Sequence, residues 1–215
     1  MLPHTTRERH RGYQPVHVTA RAVRSSPNLR AQSIFAALRA IFARSSEKGF
    51  RLLHFSVQGN HLHFIAEADD GVAFARGVQR LLSRAAMAVN ALAHRSGKLW
   101  GDRHHREPLT TPSQVRNAYV YVLFNDRKHE LTSNAPSTCT MIAIDGCSST
   151  FWLDGWSPHA APSPQTLAAG GPSIVASPTT WLARRGWKTR GLLRADEVPH
   201  ARRSSHPRGP RARMP

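Results

Sequence analysis

Cysteine is nearly absent, with Cys139 and Cys147 the only two in 215 residues. That excludes a disulfide framework and a four-cysteine zinc site, and makes a reducing cytoplasm the expected compartment. No apolar run approaches the roughly 20 residues needed to span a bilayer. The opening MLPHTTRERHRGYQ is charged and lacks an apolar stretch, so neither a membrane span nor a secretory leader is expected. Tyrosine occurs three times, at Tyr13, Tyr119 and Tyr121, which leaves few phenols for chemistry. Acidic residues are few as well.

Arginine is in excess. Against 13 acidic residues stand 30 Lys and Arg, a formal charge of +17, and four of those cations are lysine. Such a balance concentrates a polyanion around the chain and releases counterions on binding. The guanidinium fork also pairs with phosphate in a way that lysine does not. A nucleic acid is the expected partner.

The first 130 residues alternate strand and helix. Residues 13–23 place Val16, Val18, Ala20 and Ala22 on one face of a strand. Ser26-Pro27 reads as the start of a helix bearing Leu29, Ile34, Phe35, Leu38, Ile41 and Phe42, with Gly49 beyond its end. Residues 50–58 form a second strand with Leu53, Phe55 and Val57 on one face, and Gly59-Asn60 turns the chain into a third, residues 61–68. A long helix carries the stripe Phe74, Val78, Leu81, Leu82, Ala85, Val89, Leu92. After a basic, irregular strand or loop over 98–109, Thr111-Pro112-Ser113-Gln114 is a capping box opening a helix to about His129. The order β-α-β-β-α-β plus one helix predicts an α+β, ferredoxin-like split βαβ, an antiparallel sheet with helices on one face.

The expected organisation is a basic N-terminal arm (1–12), a catalytic domain (13–130), a linker (131–176) and a basic Trp/Arg-rich tail (177–215). The linker expectation rests on composition: 21 of the 46 residues from Leu131 to Ala176 are Ser, Thr, Pro or Gly.

Two groups of residues could carry chemistry. His61 and His63 share one face of a strand, their Cα atoms about 6.5–7 Å apart, near enough to share a divalent ion. The opposite face, Leu62, Phe64 and Ala66, supplies the core contacts. By spacing alone the pair also reads as two surface histidines. On the capped helix Asn117, Tyr121, Asn125 and Lys128 fall at steps of four, four and three, a polar stripe; Tyr121 there also reads as an amphipathic core side chain. Arg103, His104, His105 and Arg106 either line a nucleic-acid groove or are merely solvated. Glu67 reads as a neighbour of the histidines or as a surface carboxylate. Trp100, Trp152 and Trp156 read as base-stacking platforms or core anchors.

Together, GNHLHF and the Tyr121-x-x-x-Asn125 helix resemble the HUH single-strand endonucleases, and among them the single-tyrosine, REP-associated transposases. The stretch GKLWGDRHHREPLTTPSQVRNAYVYVLFN resembles that branch as well. The resemblance implies that His61, His63 and Asn125 bind Mg²⁺ or Mn²⁺. It implies that Tyr121 is the nucleophile, cleaving single-stranded or hairpin DNA to leave a 5′-phosphotyrosine and a free 3′-OH. Arg103, His104, His105, Arg106 and Lys128 would then contact DNA. Asp126 stands where the family has proline, a departure that bears on the placement of Asn125. Rival expectations are a DNA-binding descendant that has lost cleavage and an RNA-binding ferredoxin-like domain, the latter disfavoured by strands without paired stacking aromatics.

Overall fold

The computed structural model describes residues 12, 14–47, 49–101, 103–130 and 144–199, with the side chains of 128–130 left out. Tyr13, Cys139, the arm 1–11, the Lys128 side chain and residues 200–215 therefore lie outside the described residues.

Strands β1 (Val16–Arg21), β2 (Phe50–Val57), β3 (His61–Ala68) and β4 (His105–Pro108) form one antiparallel sheet in the order β2-β3-β1-β4. Helices α1 (Gln32–Ala43) and α2 (Gly71–Leu92) cover one face, and α3 (Pro112–Leu123) covers the other. The architecture is α+β. No helix of the described residues is long and apolar enough to cross a membrane.

Strand alternation builds this layering. Val16, Val18 and Ala20 of β1, with Leu62, Phe64 and Ala66 of β3, join Ile34, Leu38 and Phe42 of α1 and the α2 stripe from Phe74 to Val89 in one apolar cluster, while Leu92, expected on that stripe, is 45% exposed. Burying each of the Val, Ile, Leu and Phe side chains contributes roughly 1.5–3 kcal/mol, each Ala less. On the other face Leu53 and Ile65 meet Val115, Ala118, Tyr119 and Val122 of α3. Asp70 caps α2 by accepting from the Val72 and Ala73 amides, and the Thr111/Gln114 capping box starts α3 as expected.

Three sequence expectations need correction. Helix α1 begins at Gln32 rather than at Pro27, with no side-chain cap on Ala31. Residues 28–31 form a turn instead, pinned where the Leu29 amide donates to the Gly59 carbonyl. In β2 the register shifts between Leu52, paired with Ala66, and His54, paired with Ile65. This bulge leaves Leu53 as an extra residue and sends it to the α3 face, away from Phe55 and Val57. The helix expected to reach His129 breaks at Phe124, and α4 (Asn125–Glu130) resumes after it.

The described part of the expected linker is packed. Its two ends pair with edge strand β2: the Val57 amide donates to Cys147 O, Ser149 N to Phe55 O, and Ala176 N to Leu52 O. Ser148, Ser149 and Thr150 are buried, and Arg30 grips Asp145 through two hydrogen bonds of 2.9 and 2.7 Å. The small polar residues that suggested solvated chain satisfy backbone groups of an otherwise open edge. Trp152 packs on Phe55 with its indole donating to Gly171 O, and Trp100 donates to Leu82 O on α2. Both are anchors. A short helix α5 (Pro164–Ala168), α6 (Trp181–Arg184) and two 3-10 turns at Thr150–Trp152 and Gly186–Arg190 complete the elements of the described residues.

The tail is integral too, as far as Pro199. Leu182, Trp187 and Leu193 close over α3, and Trp187 is 1% exposed against Tyr119. Gly155 admits that ring, since a Cβ there would lie 2.5 Å from the indole. Glu67, fully buried, accepts from the backbone and hydroxyl of both Thr179 and Thr180. It anchors the strap instead of facing solvent.

His54 is sealed beneath this layer, its Nδ1 3.1 Å from the Ser149 hydroxyl. Burial lowers its pKa from 6.5 to about 4. The unfolded chain therefore takes up a proton between those values that the folded chain refuses. Stability present above pH 6.5 falls as pH drops towards 4, by up to about 3 kcal/mol. His54→Gln should flatten that acid limb in denaturant titrations run at pH 4.5, 5.5 and 7; an unchanged slope would assign the acid sensitivity elsewhere.

Candidate active site

The α3-facing side of the sheet carries a row of polar groups. Cross-strand partners point the same way, so the pairing of Thr19 with both His63 and His105 aligns these three side chains across β3, β1 and β4. The adjacent pair is His17 and Glu107. Asn60 opens this end of the sheet, its carbonyl accepting from the Ala22 amide.

His63 lies at the centre and is 3% exposed. Its Nδ1 is 3.0 Å from Thr19 Oγ1 and 3.3 Å from Nε2 of His17, itself buried. His61 stands at right angles to it with ring centres 4.7 Å apart, half-buried, its Nδ1 2.8 Å from Asn60 Oδ1. Tyr121 of α3 meets this group edge-on: its ring centre is 5.1 Å from that of His63 and 5.7 Å from that of His17. Three elements from distant parts of the chain converge here.

The two helix tyrosines differ sharply. Tyr119 is 1% exposed and donates its hydroxyl proton to Ala183 O at 3.2 Å. Burial, with the charges of Glu67 and Asp154 adding to it, drives its pKa far above the usual phenol range. Tyr121 is half-buried and borders a groove of about 640 Å³, within the usual range for ligand clefts. Glu107, Gln114, Arg116 and Asn117 line one side, and Arg194 with residues 196–199 the other.

That second wall is held by α3 and α4. Arg116 donates to Gly191 O and pairs with Glu197 at 2.7 Å. Arg127 donates to the carbonyls of Ala195 and Glu197. A second hollow between α1 and α2, bordered by Arg76, Arg80 and Arg84, lies on the far side of the sheet and contains neither phenol nor imidazole.

Other expected site residues are distributed less tightly. Asn125 is 1% exposed at the start of α4, its Nδ2 lacking a hydrogen-bond partner among the described residues. The break at Phe124 takes it off the continuous stripe with Asn117 and Tyr121. His105 faces the site row, whereas Arg106 pairs with Val18 on the α1/α2 side. Arg103 is exposed and His104 half-buried, both before β4. Trp156 packs on Phe124 in the α3 cluster, a structural role. His17 and Thr19 were missed from sequence. The clue was available: they occupy the face of β1 opposite Val16, Val18 and Ala20.

Among the described residues no three His, Cys, Asp or Glu side chains form a metal cage. The expected set of two imidazoles and one carboxamide is a different donor set, its members standing on β3 and at the start of α4. Both histidines have a side-chain oxygen at Nδ1, the arrangement that leaves Nε2 to ligate. The carboxamide oxygen of Asn125 would be the third donor.

No family model and no curated protein matches the sequence. Among solved structures, a REP-associated tyrosine transposase bound to a REP hairpin is similar with a TM-score of 0.49 and 18% identity, over 60% of this chain and 74% of that one.

The strap's hold on α3 can be measured. Trp187→Ala removes a buried indole packed on Tyr119 of α3 and should destabilise the protein by roughly 3–5 kcal/mol in urea titrations. A loss below about 1 kcal/mol would mean that residues 181–199 rest on α3 without supporting it.

Proposed function

We propose that this chain is a transposase-like DNA strand-transfer enzyme: it binds single-stranded or hairpin DNA and cleaves and rejoins it through Tyr121. The observation that carries the reading is Tyr121 packed against the His63–His17 pair at the edge of a groove, while Tyr119 is sealed away. The strand order β2-β3-β1-β4 supports the ferredoxin-like form of the fold.

In the reaction the Tyr121 oxygen bonds to phosphorus as the bond to the 3′-oxygen breaks. The phenol loses its proton and the departing 3′-oxygen gains one. The 5′-phosphotyrosine keeps the phosphodiester energy, so a 3′-OH rejoins the strand by the reverse attack without ATP. A phenol with pKa near 10 is a weak nucleophile at neutral pH. A divalent ion such as Mg²⁺ or Mn²⁺, held by His61, His63 and Asn125, would neutralise phosphate charge and offset that weakness. His105 on the site row, with Arg103, His104 and Lys128, would extend the contact along the DNA backbone, whereas Arg106 lies on the α1/α2 side of β4. The net charge supplies non-specific affinity.

Full-length protein mixed with labelled hairpin oligonucleotide and Mn²⁺ should yield an SDS-stable adduct. The adduct should survive Tyr119→Phe, vanish in Tyr121→Phe, and fall at least 100-fold in His63→Ala and in chelator. Binding by Tyr121→Phe should persist, because one oxygen is removed without loss of packing. An adduct on Tyr119, or tight binding by the unaltered protein with no adduct under any metal, would overturn the reading; the latter marks a binding-only descendant. Preferential binding of RNA in competition would point to the RNA-binding alternative.

Hairpin affinity should also drop by more than tenfold between 50 and 200 mM salt, as expected for several phosphate contacts. Affinity unchanged over that range would remove charge as the source of binding.

A further inference from the structure

Each candidate ligand histidine has an oxygen-bearing side chain at the same ring atom. Thr19 Oγ1 lies 3.0 Å from His63 Nδ1, and Asn60 Oδ1 lies 2.8 Å from His61 Nδ1. These supports come from different places: Thr19 from the neighbouring strand β1, Asn60 from the turn before β3. A neutral imidazole carries one ring proton. If it sits on Nδ1 and is donated to oxygen, Nε2 holds the lone pair and can ligate a cation. If it sits on Nε2, ligation there is blocked.

With Asn60 turned so that Oδ1 faces the ring, it accepts from Nδ1 and the His61 proton sits there, leaving Nε2 with the lone pair. The Thr19 hydroxyl can donate or accept, and His17 Nε2 stands 3.3 Å from the same His63 nitrogen. His63 can therefore adopt either tautomer in the metal-free protein, and binding at Nε2 selects the one donating to Thr19.

We infer that Thr19 and Asn60 are positioning residues of the metal site, holding His63 and His61 in the Nε2-ligating tautomer and orientation. His17 packs beside His63 as a second acceptor for the same proton. The inference rests on the proposed metal-dependent reading and adds residues that the His-x-His spacing does not contain. Thr19 is the stronger test because it is partly buried, whereas Asn60 is exposed and water can replace its oxygen.

The measurement is Mn²⁺ affinity of the purified full-length protein by calorimetry and Mn²⁺ EPR, without DNA. Thr19→Val keeps the shape and removes the hydroxyl; it should weaken Mn²⁺ binding roughly 10–100-fold, the usual range for losing such a support. Thr19→Ser restores the oxygen and should bind within about threefold of the unaltered protein. Asn60→Ala should show a smaller loss in the same direction. Thermal melting of each variant separates these effects from misfolding, since Ser and Val differ in the oxygen while both fit a strand.

Wild-type affinity in Thr19→Val, with binding abolished in His63→Ala, would overturn the positioning role and leave the metal site standing. Failure of Thr19→Ser to restore affinity in a folded protein would also overturn it. Absence of Mn²⁺ binding by the unaltered protein would overturn the metal reading and this inference together.

Discussion

Strand β3 has two faces, and the rest of the molecule depends on keeping them apart. Leu62, Phe64 and Ala66 enter the α1/α2 core, so His61, His63, Ile65 and Glu67 must face α3. A slip of one residue would exchange the sets, placing two imidazoles and a carboxylate in an apolar core. The same alternation serves both ends of the strand. At the start it presents the histidines beside β1; near the end it presents Glu67, which captures Thr179 and Thr180.

The α3 face is polar for a buried surface, and its stability follows from how those groups are satisfied. His54 is matched by Ser149, His63 by Thr19, Glu67 by two threonines, and the Tyr119 hydroxyl by a carbonyl. A buried donor or acceptor left alone costs about 1–3 kcal/mol. The strap residues 177–199 and the segment over β2 are therefore structural members as much as coverings. The strap also packs on α3, the helix that carries Tyr121, through Trp187 against Tyr119 and through Arg116. The resulting site is preorganised by packing on a helix and two strands, elements that fix side chains more precisely than loops.

The proposed chemistry draws on features of different kinds. Net charge attracts the substrate and carries no sequence information. In the proposed reading, the groove beside Tyr121 would be the path by which a phosphate reaches the phenol. The difference between the two tyrosines is environmental: one proton is held by a backbone carbonyl in a dry interior, while the other phenol borders the groove.

Period-two and helical spacing in the sequence determined the element order, the core faces of β1 and β3, the α2 stripe and the capping box of α3. It also determined the candidate pair His61 and His63, because local alternation fixes which face a strand residue takes. The β2 bulge, the late start of α1 and the break at Phe124 depended on tertiary contacts that no local pattern records. Composition suggested a solvated linker, yet Ser148, Ser149 and Thr150 are buried because an edge strand needed partners. His17 and Thr19 joined the site because the register of β1 against β3 places them beside His63. That pairing spans more than 40 residues of chain, and the register that selects it is set by the packed core as a whole.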